Sequence, residues 1–316
     1  MLTVVMYHYV RDLPRSQFPG IKGLLLHEFD QQLDYITAHY TVCSLRQIIN
    51  AVEGRDPLPP SACLLTFDDG LSDHYLNVLP RLVSRGLVGS FFVPARPVVE
   101  HRVLDVHKIH FVLAAANDTE RLEARVRAAL RAGRGEYDFP TEDELQGRYW
   151  IEGRYDSPQV MFIKALLQHA LPEGLRTSLV DDLFAELVSE DEDLFARDLY
   201  LHVDHIRLMA DAGMEFGGHG YTHARWDRVS DERLKLEVGR TRQFLFSCVG
   251  PQASWAMSYP HGAYNATAFN LLRVAGCAVG FTTRPEVIAD LERPLELSRM
   301  NTNDFPPKGP GMVGAS

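Results

Sequence analysis

The sequence predicts an α/β protein built on a parallel sheet and interrupted by a helical insertion, and three observations predict it. Ala62 to Phe67 is a nearly continuous apolar run, the pattern of a strand covered on both faces. Tyr75, Val78, Leu79 and Leu82 follow at helical spacing and Gly89 to Val93 reads as a further strand, so strand, helix and strand form one right-handed βαβ unit. From about residue 101 to 203 the character changes, because apolar residues recur only at helical spacing and no strand pattern appears.

The other elements follow in order. Leu2 to Tyr7 is an apolar, β-branched run that reads as a buried strand ending at His8. Phe29, Leu33 and Ile36 mark a helix, Tyr40 to Cys43 a short strand, and Ser44 caps a helix carrying Leu45, Ile48 and Ile49. Pro57, Pro59 and Pro60 form a turn before the Ala62 strand, and the helix after that strand stops at Gly86. Inside the insertion, Leu122, Val126, Ala129 and Leu130 make one core-facing stripe. Ile163, Leu166, Leu167 and Ala170 make a second, and Val180, Leu183, Phe184 and Leu187 a third. The α/β rhythm resumes with a helix capped by Asp204, bearing Ile206, Met209 and Ala210 and ended by Gly213. Met214 to Gly218, Trp255 to Tyr259 and Cys277 to Thr282 read as strands. Between them lie a Ser230-capped helix with Leu234, Val238, Thr241 and Leu245, and a short helix from Asn265 to Gly276. Residues 1–300 are thus expected to form one domain with the insertion at about 101–203, and 301–316, rich in Pro and Gly, a loose tail.

Composition narrows the function classes. With 316 residues, 46% hydrophobic and 23% charged, the chain has ample material for a packed core. The formal net charge of −10, with no basic run to offset it, argues against nucleic acid as a partner. Cys43, Cys63, Cys248 and Cys277 are scattered, form no C-x-x-C pair and read as buried free thiols in a reducing compartment. The opening residues lack a basic n-region and a small-residue cleavage site, and their apolar run is too short to span a bilayer; the expected location is cytoplasmic.

Two blocks carry the chemistry, Thr66-Phe67-Asp68-Asp69-Gly70 and His219-Gly220-Tyr221-Thr222-His223, each at the end of a strand. The C-terminal edge of a parallel sheet is where ligands bind, because the loops converge there. Two adjacent carboxylates at a buried strand end repel one another and lose hydration, so a positive charge must offset the cost. A divalent metal supplies it: two imidazoles at i and i+4 plus one carboxylate give three ligands and leave a position open for water. The second carboxylate can then accept the proton of that water. Asp69 is assigned as ligand and Asp68 as base, although spacing alone permits the exchange. Residue 220 is Gly rather than Glu, so the pair does not match the H-E-x-x-H of zinc proteases.

At these residues the sequence resembles the polysaccharide deacetylase family, carbohydrate esterase family 4, also called the NodB homology group. The similarity extends through Met6-Tyr7-His8-Tyr9-Val10, Pro80, Phe91-Phe92-Val93 and Tyr259-Pro260-His261-Gly262, over roughly two-thirds of the chain, leaving the helical region unexplained. The resemblance implies a deformed (β/α) barrel, a catalytic base at Asp68, metal ligands at Asp69, His219 and His223, and zinc as the usual metal. It implies that His8, in the Y-H-x-V opening, reaches the site to assist the base or donate a proton. Two departures stand out. The third motif reads Trp255-Ala-Met-Ser-Tyr-Pro-His-Gly and lacks the Arg that orients the base in many members, leaving Arg299 to supply it. No late L-x-H carries the general acid, so His8, His261 or the metal must serve the leaving amine.

Tyr259, Pro260, His261, Tyr264 and Arg299 are the expected substrate-binding residues, with the Tyr259 backbone N–H or a neighbour helping to hold the oxyanion. His74, His107, His110 and Trp226 are further candidates by proximity in sequence. The expected function is hydrolytic N-deacetylation of an N-acetylated sugar or sugar-containing glycan precursor. The alternatives are a related amidohydrolase or deformylase on a non-sugar or cyclic amide, a ferrous-iron oxygen enzyme, and a non-catalytic carbohydrate-binding scaffold that would hold no metal. The helical insertion is a candidate lid, substrate wall or homodimer contact.

Overall fold

A computed structural model describes residues 1–153 and 156–309. Its centre is one all-parallel sheet of eight strands: β1 (Leu2–Tyr7), β2 (Thr41–Cys43), β3 (Ala62–Asp68), β4 (Ser90–Val93), β5 (Glu215–Gly218), β6 (Trp255–Ser258), β7 (Cys277–Phe281) and β8 (Met300–Asn301). The order is β7-β6-β5-β4-β3-β1-β8, with β2 beside the first half of β3 at residues 62–64 and β4 beside its second half at 66–68. A single bridge from Phe281 to Leu297 brings the far strand towards the segment that leads into β8, and β8 pairs with β1. The sheet therefore curls into the deformed (β/α) barrel expected from the sequence.

Side-chain alternation divides this sheet into two cores. Leu2, Val4, Leu64, Phe92, Ala256, Val279 and Phe281 pack together on one face, closed by Leu45, Ile48 and Ile49 of the helix Leu45–Val52. The intervening residues Val5, Tyr7, Cys63, Leu65, Phe67, Phe91, Phe216, Trp255 and Met257 pack on the other, under the surrounding helices. This is why the strands read as unbroken apolar runs: both faces are covered. The first face turns polar towards the C-termini of β3 and β6, where the alternation brings Thr66, Asp68 and Ser258.

Contact density divides the chain into two compact units. One comprises 1–12, 23–102 and 196 onward; the other comprises 13–22 and 103–195. Between residues 105 and 199 every described element is helical. In that second unit Phe18 meets Phe111 edge-on with centroids 5.1 Å apart, so a short stretch far upstream joins the helices. Lys108, buried there, is neutralised by Asp181 and by Glu192 at 3.0 Å.

Local caps follow the sequence closely, with one correction. Ser44, Ser230 and Asn265 each accept the backbone N–H three residues on. The helix Val203–Asp211, by contrast, is flanked by His202, and Asp204 sits in its first turn as a charge favourable to the dipole. The stretch after Asn301 begins packed: Phe305 is fully buried, and Gln32 donates to the carbonyl of Thr302 at 2.7 Å. Residues 310–316 of the expected tail lie outside the described residues.

Candidate active site

Asp68 is the last residue of β3 and points to the polar end of the inner face. Its carboxylate is met by Arg299 in a two-pronged pair, Nη1 to Oδ1 at 2.9 Å and Nη2 to Oδ2 at 2.7 Å. Arg299 is itself buried and fixed, donating through Nε to the carbonyl of Thr282 at 2.8 Å. Ser258 Oγ donates to Asp68 Oδ2 at 3.0 Å. Burial alone would raise the Asp68 pKa, but the Arg299 guanidinium, followed by the His219 imidazole, outweighs it and holds the carboxyl well below the ordinary range. Asp68 is ionised at neutral pH and has a fixed orientation, as a proton acceptor must.

Adjacent residues of a regular strand point to opposite faces, which would send the two carboxylates apart. Asp69 avoids this by leaving the strand with φ 76, in the left-handed region. Its Oδ1 thereby comes within 3.3 Å of His219 Nε2 and 3.3 Å of His223 Nε2, and the two imidazole nitrogens are 3.2 Å apart. All three side chains are buried. A tetrahedral zinc with bonds of about 2.0–2.1 Å has ligand-to-ligand edges of about 3.3–3.4 Å. The three donors match that edge length, and three converging lone-pair atoms in a buried pocket need a cation to offset their repulsion. The set fits a metal.

His219 follows β5 directly and its Nδ1 lies 2.7 Å from the carbonyl of Ser258, which fixes the proton on Nδ1 and leaves Nε2 free to ligate. Buried as it is, His219 would titrate low, but the carboxylates of Asp68 and Asp69 overcome this and raise its pKa, so metal and proton compete for the ring.

The segment between the two histidines is pinned from both sides. Its carbonyls at Gly220 and Tyr221 accept from Ala95 and Arg96 N–H at 3.2 and 2.9 Å. Its N–H groups at Tyr221 and Thr222 donate to the buried carboxylate of Glu237. Gly220 takes φ 74, a conformation that favours glycine, and a Cβ there would sit 3.1 Å from Pro260. Ser258 and Glu237 are functional neighbours that sequence reasoning missed. Ser258 lay inside a strand, and Glu237 occupied one position of a long amphipathic helix with no local motif to mark it.

The remaining expected residues divide. His8 is partly exposed, with Nε2 4.0 Å from Asp69 Oδ2. His74 is fully buried beneath it, with Nε2 3.1 Å from the His8 carbonyl; burial holds its pKa down to about 4, so it is neutral. The His261 ring packs edge-on to His223 at 4.6 Å; the residue is exposed overall, but the crowding of protein around its ring and repulsion from His223 push its pKa down. Pro260 packs beside Gly220. Tyr259 instead belongs to the core: it is fully buried, and its hydroxyl donates to Leu295 at 2.9 Å. Its backbone N–H is already donated to Phe281 at 3.1 Å, so it is not free to hold an oxyanion. Tyr264 packs at a tilt against Tyr259, with ring centroids 4.9 Å apart, and donates to Glu296 at 3.0 Å. Trp226 is buried in the outer core against Tyr259. His107 and His110 lie on the helix Asp105–Ala115 of the helical unit.

Residues 192–280, which include both histidines and exclude the Asp68-Asp69 block, match the family model of polysaccharide deacetylases. No curated protein sequence matches the chain. Among solved structures, the chain is similar to the Streptococcus pyogenes deacetylase PplD in complex with acetate. The TM-score is 0.58 at 16% identity, over 98% of this chain and 94% of that one. IcaB from Ammonifex degensii gives a TM-score of 0.55 at 18% identity, covering 95% and 91%. A de-N-acetylase from Aggregatibacter actinomycetemcomitans gives 0.55 at 17% identity, covering 95% of each chain. The chain thus shares the fold of these deacetylase structures, and its residues 192–280 match the polysaccharide deacetylase family model.

Proposed function

We propose that the chain is a metal-dependent N-deacetylase that hydrolyses the acetamide of an N-acetylated sugar or sugar-containing glycan precursor. The observation that carries this reading is the triangle of Asp69, His219 and His223 donors 3.2–3.3 Å apart, with an Arg-oriented carboxylate next to it in sequence. A divalent metal held by those three residues, zinc by the nature of the donor set, would polarise the amide carbonyl and acidify a water. Asp68 takes the proton released as water attacks, and Arg299 keeps that carboxylate ionised and aimed. His8, partly exposed beside Asp69, is the residue placed to return a proton to the departing nitrogen. His261 is neutral at pH 7 and is the weaker candidate for that step. The amide C–N bond breaks, the water oxygen ends in acetate, and the sugar keeps a free amine. Acetyl hydrolysis is also what the similar structures are named for. Four buried free thiols are in keeping with a reducing, cytoplasmic setting and with a precursor as substrate.

The test is acetate release from a panel of N-acetylated amino sugars and their oligomers. Asp68→Asn is expected to abolish turnover, a loss of at least about a hundredfold for a removed general base, while metal content stays at the wild-type level. Near-normal release by that variant would overturn the assignment.

A further inference from the structure

We propose that Glu237 is a positioning residue that sets the affinity of the site for its metal, by fixing the peptide path between the two imidazoles. The proposal rests on the metal reading above and adds a residue to it. Glu237 lies on the helix Asp231–Val249, is 3% exposed, and directs both carboxylate oxygens at the loop. Tyr221 N–H donates to Oε2 at 2.7 Å, and Thr222 N–H donates to Oε2 at 3.1 Å and Oε1 at 3.3 Å. The Thr222 hydroxyl donates to Oε1 at 2.6 Å. No basic side chain pairs with it among the described residues, so the loop's donors are what offset the cost of burying this charge.

The loop needs such a partner because its backbone is not at rest. Gly220 has φ 74 and His223, which carries a β-carbon, has φ 61. A non-glycine residue in the left-handed region is strained and persists where its surroundings over-determine it. Glu237 is held in turn by its helix: Thr241 Oγ1 donates to the Glu237 carbonyl at 2.6 Å, and the Thr241 methyl occupies the space that a Cβ on Gly218 would need. The carboxylate thus transmits the helix's position to the peptides at 221 and 222, one residue from His223. Loss of the clamp lets His223 Nε2 leave its place 3.3 Å from Asp69 without disturbing the strands.

The experiment measures zinc affinity of the full chain by competition with a chelator, alongside thermal unfolding of the zinc-free protein. Glu237→Gln keeps the volume but cannot accept from all three donors, and it is expected to bind zinc about 10–100-fold more weakly, as loss of a ligand-orienting partner does. Thr222→Val, which removes one donor, should shift affinity in the same direction by less and serves if Glu237→Gln does not fold. Glu215→Gln is the control: that carboxylate, at the other end of β5, accepts Leu45 and Arg46 N–H and caps a helix. It should lower the melting temperature and leave zinc affinity unchanged. Wild-type affinity in both Glu237→Gln and Thr222→Val, or an equal loss in Glu215→Gln, would overturn the proposal while leaving the metal site intact. A wild-type chain that takes up no zinc would overturn both together.

Discussion

Asp68 ends a strand buried on both faces, and its arrangement is set from inside the curled sheet; His219 and His223 flank a short loop whose arrangement is set from outside it. On the first side, β3 delivers Asp68 to the inner face by simple alternation and Arg299 grips both its oxygens. On the second, no alternation operates. The loop between the histidines is fixed by hydrogen bonds to a helix N-terminus at Ala95 and Arg96 and to the Glu237 carboxylate. The two halves should therefore fail differently. Damage to the first should strike proton transfer and global stability, and damage to the second should strike ligand geometry.

Arg299→Met is expected to have the largest effect on folding. It leaves the Asp68 charge buried without its partner, a defect that costs about 3–5 kcal/mol, and urea unfolding should read it directly. The sign of the pH dependence follows from the same pair. In the wild type the folded pKa of Asp68 is depressed, so its contribution is present above the unfolded carboxylate value of about 3.9 and is lost as pH falls through the lower folded value. In Arg299→Met the cation is gone and burial raises the carboxyl instead. The acid limb of kcat/KM should then move to higher pH, and a limb that stays in place would separate Asp68 from the base role.

A smaller effect is expected on the loop side. Gly220→Ala places a Cβ at φ 74, 3.1 Å from Pro260, and should cost about 1–2 kcal/mol, with zinc affinity falling more than the acid limb moves. An acid-limb shift as large as that of Arg299→Met would break the division between the two sides.

The same contrast explains what could be read from the residues alone. The strands announce themselves because double burial leaves unbroken apolar runs, and the D-D-G and H-x-x-x-H blocks stand at their ends as polar groups with no structural reason to be there. Arg299 was legible as a candidate cation on the late Leu-Ser-Arg-Met stretch, once the third motif proved to lack one. Asp69's left-handed turn was not legible, since nothing in its local sequence requires it, and this left the roles of Asp68 and Asp69 exchangeable on spacing. Glu237 was hidden because a charged residue on an amphipathic helix normally faces solvent, and this one is turned inward by the loop it serves. Tyr259 erred the other way: a tyrosine beside a motif looks like a pocket wall, yet its ring and its N–H are both engaged within the core. The stretch 13–22 joins the helical unit through aromatic contacts such as Phe18 on Phe111, a long-range pairing that periodicity cannot register.

The central claim is that Asp69, His219 and His223 together hold one divalent cation. Zinc titration of the metal-stripped protein with a competing chelator tests it most directly. The geometry predicts one equivalent bound tightly to the wild type, with loss of that equivalent in His219→Ala while the fold is retained. A wild-type protein that binds no zinc, or a His219→Ala protein that binds it as tightly as the wild type, would contradict it.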